Sequence, residues 1–238
     1  MNVMVSINMI TYNHEKYIKD AIEGVLMQKT KFKYELVIGE DCSTDKTREI
    51  ILKYKEKYPD KIKLVLQKQN VGMTQNFIDT LEACTGKYIA FCEGDDYWTH
   101  PYKLQKQVDF LERNPEYGLI HTDSLIFNEF KNNIIKSKNK KNRRIAKSGD
   151  IFDDLIRNNF IRTLTVVVRT ELVNKALESI GDKYYSFMMG DYPLWLEISK
   201  NCKIKYIDAI TAVYRVHSNS ATRPKDIDLS LIHISEPT

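Results

Sequence analysis

Apolar residues follow two rhythms along the first hundred positions. Val3 to Ile10 is a short, nearly unbroken apolar run rich in β-branched side chains, which predicts a buried strand. From His14 to Gln28 the apolar positions Ile18, Ile22, Val25 and Leu26 recur at helical spacing. Tyr34 to Gly39 is a second strand run. Ser43 or Thr44 stands where it can cap a helix reaching to about Tyr58, and Ile62 to Leu66 is a third strand. Met73 to Ala83 reads as a helix stopped at Thr85-Gly86, and Lys87 to Cys92 as a fourth strand. Strands alternating with helices of this length predict βαβ units, and so an α/β fold with a mostly parallel central sheet flanked by helices.

The alternation weakens after residue 100. Tyr102 to Arg113, Ile151 to Asn158, Glu171 to Ser179 and Pro193 to Lys200 have helical character. Tyr117 to Thr122, Leu164 to Arg169 and Ile204 to Val216 are β-prone. No repeat and no linker divides the chain, which predicts one domain over 1–228, with a ligand-binding half at 1–100 and a less regular half at 101–228. The last ten residues, LSLIHISEPT, break the pattern. They resemble translated sequencing-adapter sequence and are expected to be a non-native tail, with the natural chain continuing past about Asp228.

Charge changes the picture in one place. The chain has a net charge of +4, but residues 131–148 hold eight bases and no acid; without them 28 bases face 32 acids. The basic character therefore belongs to one segment, read as a solvated loop or as a patch for anionic lipid headgroups or a charged acceptor, and not as a nucleic-acid surface. No apolar run approaches the length of a bilayer span. The four cysteines, Cys42, Cys84, Cys92 and Cys202, form no CxxC pair, so a zinc site is not expected and a reducing cytoplasm fits.

In open α/β sheets, ligands bind beyond the carboxyl ends of the strands. Those ends carry Thr11-Tyr12-Asn13, Glu40-Asp41-Cys42-Ser43-Thr44-Asp45, Gln69-Asn70-Val71-Gly72 and Glu93-Gly94-Asp95-Asp96-Tyr97-Trp98. Three carboxylates within four residues repel one another unless a cation or a proton intervenes. A hard divalent cation, Mn2+ or Mg2+, that also bridges to phosphates resolves the conflict. A solvated acidic turn capping the next helix is the plainer reading of that cluster alone; the four strand ends together favour the metal. Asp45, with Ser43 and Thr44, is expected to cap the following helix, leaving Asp41 free to accept from a base N–H or from ribose hydroxyls. Neither G-x-G-x-x-G after the first strand nor G-x-x-x-x-G-K-[ST] is present, so the metal must do more of the phosphate work.

In this order, T-Y-N, E-D-C-S-T-D, N-V-G and E-G-D-D-Y-W resemble a family 2 glycosyltransferase of the GT-A fold, over roughly residues 3–217. The resemblance implies transfer of a sugar from a nucleoside-diphosphate donor to a hydroxyl acceptor, with inversion. It assigns Thr11, Tyr12, Asn13, Glu40, Asp41, Asn70, Gly72 and Asp96 to the nucleotide and Asp95 to the metal, with Glu93 in the donor or metal shell. Gln75 stands where many members have Arg. Downstream, Gly190-Asp191-Tyr192-Pro193 resembles the short acidic motif that supplies the catalytic base, with Gly190 where many members have Glu. Asp191 is then the base, and it can also cap a helix, whose N-terminus is expected to lower its pKa. Tyr214-Arg215-Val216-His217 resembles a late Y-R-x-H motif, which assigns His217 to the metal or diphosphate and Arg215 to its shell.

The implied enzyme is a hexosyl- or N-acetylhexosaminyltransferase of polysaccharide biosynthesis. It takes a UDP- or dTDP-sugar and a carbohydrate or lipid-linked acceptor, in the cytoplasm or at the inner face of the membrane. A sugar-phosphate nucleotidyltransferase is the alternative enzyme, although Thr11 to Lys16 lacks a Gly- and Lys/Arg-rich triphosphate loop. A non-catalytic nucleotide-sugar-binding module is the other alternative, and Asp191 argues against it.

Overall fold

The computed structural model describes residues 2–136, 147–187, 190–218 and 220. The predicted tail at 229–238 and the greater part of the basic segment lie outside the described residues. In the first half the predicted alternation appears as β1 (Val5–Thr11), α1 (Ile18–Leu26), β2 (Tyr34–Glu40), α2 (Thr47–Lys57), β3 (Ile62–Leu66), α3 (Met73–Glu82) and β4 (Tyr88–Phe91). The second half holds β5 (Tyr97–Trp98), α4 (Lys103–Arg113), β6 (Tyr117–Asn128), β7 (Asn133–Lys136), α5 (Phe152–Arg157), β8 (Val167–Arg169), α6 (Thr170–Ile180), α7 (Asp191–Ser199) and β9 (Lys203–Val216).

Helices cover both faces of the sheet, so its central strands are apolar on both sides. Val5, Ile7 and Met9 of β1 pack with Ile18, Ile22 and Val25 of α1 and Leu104, Val108 and Leu111 of α4. On the other face Ile89 and Phe91 of β4 meet Leu81 of α3, Val173 of α6 and Leu194, Trp195 and Ile198 of α7. The buried polar residues Ser6 and Asn8 of β1 are partnered, as burial demands. Ser6 Oγ donates to Glu35 and accepts from the Gly86 N–H, and Asn8 Nδ2 donates to the Phe77 carbonyl.

One nine-stranded sheet runs through both halves in the order β3-β2-β1-β4-β8-β6-β9-β5, with β7 on β6. Its β3-β2-β1-β4 part is parallel, as the alternation predicts. Beyond β4 the sheet is mixed: β8 lies antiparallel to both β4 and β6, while β6 and β9 are parallel. β5 follows β4 after a five-residue turn, too short for the crossover a parallel neighbour requires, and it pairs antiparallel with β9 instead. That pairing sets Tyr97 against Val213 and Trp98 against Ala212, and so delivers the end of β9 to the acidic turn. α1 lies directly on β5: a Cβ at Gly24 would stand 2.8 Å from the Trp98 nitrogen. No helix among the described residues is long and apolar enough to cross a membrane.

Candidate active site

The loops after β1 and β2 are laced together. Asn13, at φ 56°, accepts from the Thr44 N–H (2.8 Å) and donates its own N–H to Ser43 Oγ (3.0 Å). The His14 N–H donates to Thr47 Oγ1 at 2.8 Å. Ser43 and Thr44 therefore hold the first loop and do not cap α2. Asp45 does the capping: Oδ1 accepts from the Thr47 N–H (2.9 Å) and Oδ2 from the Glu15 N–H (3.0 Å). Thr11 is buried under this lacing, and the Tyr12 ring is open to solvent.

The carboxylates of Glu40 and Asp41 are less free than their position in the sequence suggests. Glu40 is fully buried, pairs with Arg48 and accepts from the Ser43 N–H (2.6 Å), because a carboxylate removed from water needs such partners. Its carboxylate braces the loop from within. Asp41 Oδ1 accepts from the Val71 N–H (2.7 Å) and Oδ2 from the Gly72 N–H (3.0 Å), while Asn70 Nδ2 donates to the Asp41 carbonyl. The expectation of an unengaged Asp41 is corrected: it holds the N-V-G turn, in which Gly72 at φ 86° opens α3. Each oxygen keeps one lone-pair site beyond those bonds.

The acidic turn packs tightly on the first loop. The Gly94 N–H donates to the Ile10 carbonyl, and a Cβ at Gly94 would stand 2.6 Å from Thr11 Oγ1 and 3.0 Å from His14 Nδ1, so only glycine fits. Burial and neighbours set the three acids of the turn apart. Burial raises the Glu93 carboxyl to about 8, with the charges of Asp95 and Asp191 adding to the rise, and Glu93 Oε2 is buried with no hydrogen-bond partner. Burial, then Asp95 and Glu93, pushes Asp96 well above the usual carboxylate range; Asp96 Oδ1 accepts the Arg215 N–H at 2.8 Å. Burial also acts upward on Asp95, but the His217 hydrogen bond and the charges of His14 and His217 outweigh it and leave Asp95 low.

Glu93 carries a pH prediction. Below about pH 4.5 the folded and unfolded chains both hold this proton. Between there and about pH 8 the unfolded chain releases it while the folded chain keeps it, so stability falls as pH rises. Glu93→Gln removes the penalty. In EDTA its Tm is expected to equal that of the wild type near pH 4.5 and to exceed it by a few °C, about 2–4 °C per kcal/mol for a chain of this size, at pH 8. Thermal melts across that range check it; a gap that does not widen with pH refutes the assignment.

β9 closes the site. His217 is buried, and its Nε2 lies 3.0 Å from Asp95 Oδ2. His14 Nε2 lies 4.0 Å from the same oxygen, and the ligand atoms of His14, Asp95 and His217 all fall within 4.8 Å of one another. One carboxylate and two imidazoles so gathered are a donor set that fits a divalent cation. Arg215, expected in the donor or metal shell, lies directly behind the acidic turn. Its Nε donates to the Asp95 carbonyl (2.8 Å), its Nη2 to Asp20 (3.0 Å), and its guanidinium sits over the rings of Tyr17, Tyr97 and Phe127. It supports the turn from behind.

Asp191 opens α7. Its Oδ1 accepts from the Tyr192 N–H (2.8 Å) and its Oδ2 from Thr163 Oγ1 (2.5 Å). The expected lowering of its pKa is reversed: burial raises it, and the bonds from Thr163 and Tyr192 only moderate the rise. Asp191 and Glu93 are close enough to feel each other's charge.

Comparison with known proteins decides the family. The Glycosyl transferase family 2 model matches residues 6–169. The chain belongs to this family. Among its relatives, an uncharacterised Mycobacterium tuberculosis protein is 36% identical over 217 residues, 90% of this chain and 59% of its own length. The chain thus spans about three fifths of that relative. TuaG of Bacillus subtilis, named for teichuronic acid biosynthesis, is 30% identical over 93% of this chain and 82% of its own. WfgD of Escherichia coli, a UDP-Glc:α-D-GlcNAc-diphosphoundecaprenol β-1,3-glucosyltransferase, is 29% identical over 93% and 81%. Two solved structures share the fold. Staphylococcus aureus TarS in complex with UDP-GlcNAc has a TM-score of 0.67 at 19% identity, covering 92% of this chain and 60% of that one. The Pyrobaculum calidifontis mannosyltransferase PcManGT, with GDP-Man and Mn2+, has 0.70 at 17%, covering 93% and 59%.

Gly190 and Gln75, the two positions set apart in the sequence, have close local neighbours. At Gly190 a Cβ would stand 2.5 Å from Tyr184 Oη, so the Tyr184 ring fills the space beside the position where many members carry Glu. Gln75 Nε2 donates to Asp79 within α3. His14 and Thr163 are the site residues missing from the sequence reading. His14 follows T-Y-N directly at a strand end, a signal that was available; Thr163 lies in a short 3-10 turn with no pattern of its own.

Proposed function

We propose that this chain transfers a hexosyl or N-acetylhexosaminyl group, with inversion, from a UDP- or dTDP-sugar to a hydroxyl of a glycan or lipid-linked sugar. The observation that carries the reading is the 3.0 Å approach of His217 Nε2 to Asp95, in a turn whose Glu93 feels the charges of both Asp95 and Asp191. Support comes from the names of WfgD, a UDP-glucose enzyme with a lipid-linked acceptor, and of the TarS complex with UDP-GlcNAc. Thr11, Tyr12, Asn13, Asp41, Asn70, Gly72 and Asp96 surround the nucleotide in this reading. The remaining lone pairs of Asp41 accept the N3–H of a pyrimidine, and the exposed Tyr12 ring offers a face to the base.

A divalent cation at Asp95 and His217, Mn2+ or Mg2+, supplies positive charge opposite the charge that develops on the departing diphosphate. Asp191 takes the proton of the acceptor hydroxyl, with Thr163 and the Tyr192 N–H fixing its carboxylate. Glu93, protonated below about pH 8, keeps a second negative charge away from Asp191. Attack from the face opposite the leaving group, with a single base, inverts the anomeric centre. The basic segment at 131–148 is a candidate contact with anionic lipid headgroups, at the inner face of the membrane.

Calorimetry with UDP, dTDP and GDP tests the donor. UDP or dTDP is expected to bind more tightly than GDP, and Asp41→Asn to weaken UDP at least about 10-fold, the loss of one charge-assisted hydrogen bond. Tighter GDP binding, or an unchanged variant, refutes the pyrimidine assignment.

A further inference from the structure

The second imidazole at the acidic turn needs an account. The His14 backbone is anchored by its N–H on Thr47 Oγ1, which any residue provides. Its ring is held separately: Nδ1 lies 3.1 Å from Thr11 Oγ1 and packs close to Gly94, where an added Cβ would stand 3.0 Å from it. That bond turns Nε2 toward Asp95 Oδ2, at 4.0 Å, beyond hydrogen-bond reach. His217 Nε2 approaches the same oxygen from the other side at 3.0 Å, and the two rings meet edge to face at 6.1 Å between centroids.

We propose that His14 is a third protein ligand of the cation held at Asp95 and His217, and that the pair of imidazoles selects a transition metal over magnesium. The inference rests on the metal-assisted reading above and goes further, to a residue and a selectivity. With metal–ligand bonds of about 2.1 Å, ligand atoms at right angles are separated by about 3.0 Å and opposed ones by about 4.2 Å. The His217–Asp95 separation of 3.0 Å already matches the first value, and the His14–Asp95 separation of 4.0 Å lies near the second. The three ligand atoms lie within 4.8 Å of one another, so closing on a cation would draw the two imidazoles together. Thr11 then acts as the partner that fixes the tautomer of a ligating histidine, with Nδ1–H donated to it and Nε2 free for the metal. Two nitrogen donors favour metals later in the order Mn2+, Co2+, Zn2+, whereas Mg2+ prefers an all-oxygen shell with several waters.

The test is metal binding itself, on the purified chain with saturating UDP. Pulsed electron paramagnetic resonance of bound Mn2+ counts coordinated imidazole nitrogens, and competition with Mg2+ gives the preference between the ions. Two nitrogens are expected in the wild type, and one in each of His14→Asn and His217→Asn. The Mn2+ over Mg2+ preference is expected to fall at least roughly 10-fold in His14→Asn, the low end for disturbing a metal shell. Thermal melts and UDP affinity in EDTA report on the fold and on nucleotide binding apart from the metal. One nitrogen in the wild type, lost in His217→Asn but kept in His14→Asn with its ion preference unaltered, overturns the role of His14 and leaves the donor-site reading standing. No bound Mn2+ in the wild type overturns both this inference and the metal part of that reading.

Discussion

Asp191→Asn is expected to bind the nucleotide sugar as the wild type does and to lose at least about 100-fold in transfer rate, the low end for general-base catalysis. The substitution keeps the shape, retains an oxygen for the Tyr192 N–H, and leaves an amide N–H that can donate to Thr163 Oγ1. What it removes is the capacity to accept a proton. The direction of the Asp191 shift adds a second readout. Burial raises its pKa, so the active, ionised form is lost on acidification at a pH above the usual carboxylate range. The acid limb of kcat/KM in the wild type is expected to be displaced upward accordingly and to be absent from the residual activity of the variant. The measurement is nucleotide release from a donor panel with and without a lipid-linked acceptor, across pH. Near-normal turnover in Asp191→Asn makes Asp191 a helix cap only.

The first half of the fold was legible because its information is local. Each strand of β1 to β4 is a short apolar run, each helix between them shows its buried stripe, and the parallel register follows from the crossovers. The strand ends converge for the same reason. The second half was less legible because what organises it is remote pairing. β5 has two residues and no period, yet its pairing with β9 brings Arg215 and His217 to the acidic turn, more than a hundred residues away in sequence. β6 continues six residues past its predicted end at Thr122, because β9 beside it supplies ladder partners to Asn128 through a bulge at Asp123.

Single carboxylates show the same limit at finer scale. The E-D pair after β2 announces two acids at a ligand-binding edge, but burial and neighbours decide their work. Arg48 comes from the next helix to neutralise Glu40, and the backbone of the N-V-G turn occupies part of Asp41. Repulsion at 93–96 was readable from spacing alone. That the Asp95 carboxyl is held low while those of Glu93 and Asp96 are raised was not, because it depends on His217 and His14 lying beside Asp95 and on the burial of the other two.

That asymmetry sets the second large effect. Asp95 is the one member of the acidic turn whose surroundings favour its negative charge, so it is the member whose charge a cation meets first. Asp95→Asn keeps the side-chain volume, and an Asn oxygen still accepts from His217. The Asp95 main-chain carbonyl still receives Arg215 Nε, so the link between the turn and β9 survives. Fold and Tm are therefore expected to change little. Metal and nucleoside diphosphate, in contrast, bind in this reading as one unit. In the wild type UDP affinity is expected to rise when Mn2+ replaces EDTA, whereas in Asp95→Asn it is expected to be weak and the same in both. Transfer is expected to fall at least about 100-fold, equivalent to about 2.7 kcal/mol of lost transition-state stabilisation, well within what a Lewis acid supplies to a departing phosphate. Calorimetry of UDP in both media, on both proteins, checks this directly. Equal wild-type affinity with Mn2+ and with EDTA removes the metal from the mechanism, and the protonated Glu93 and Asp96 are then the turn's own solution to its crowded charge.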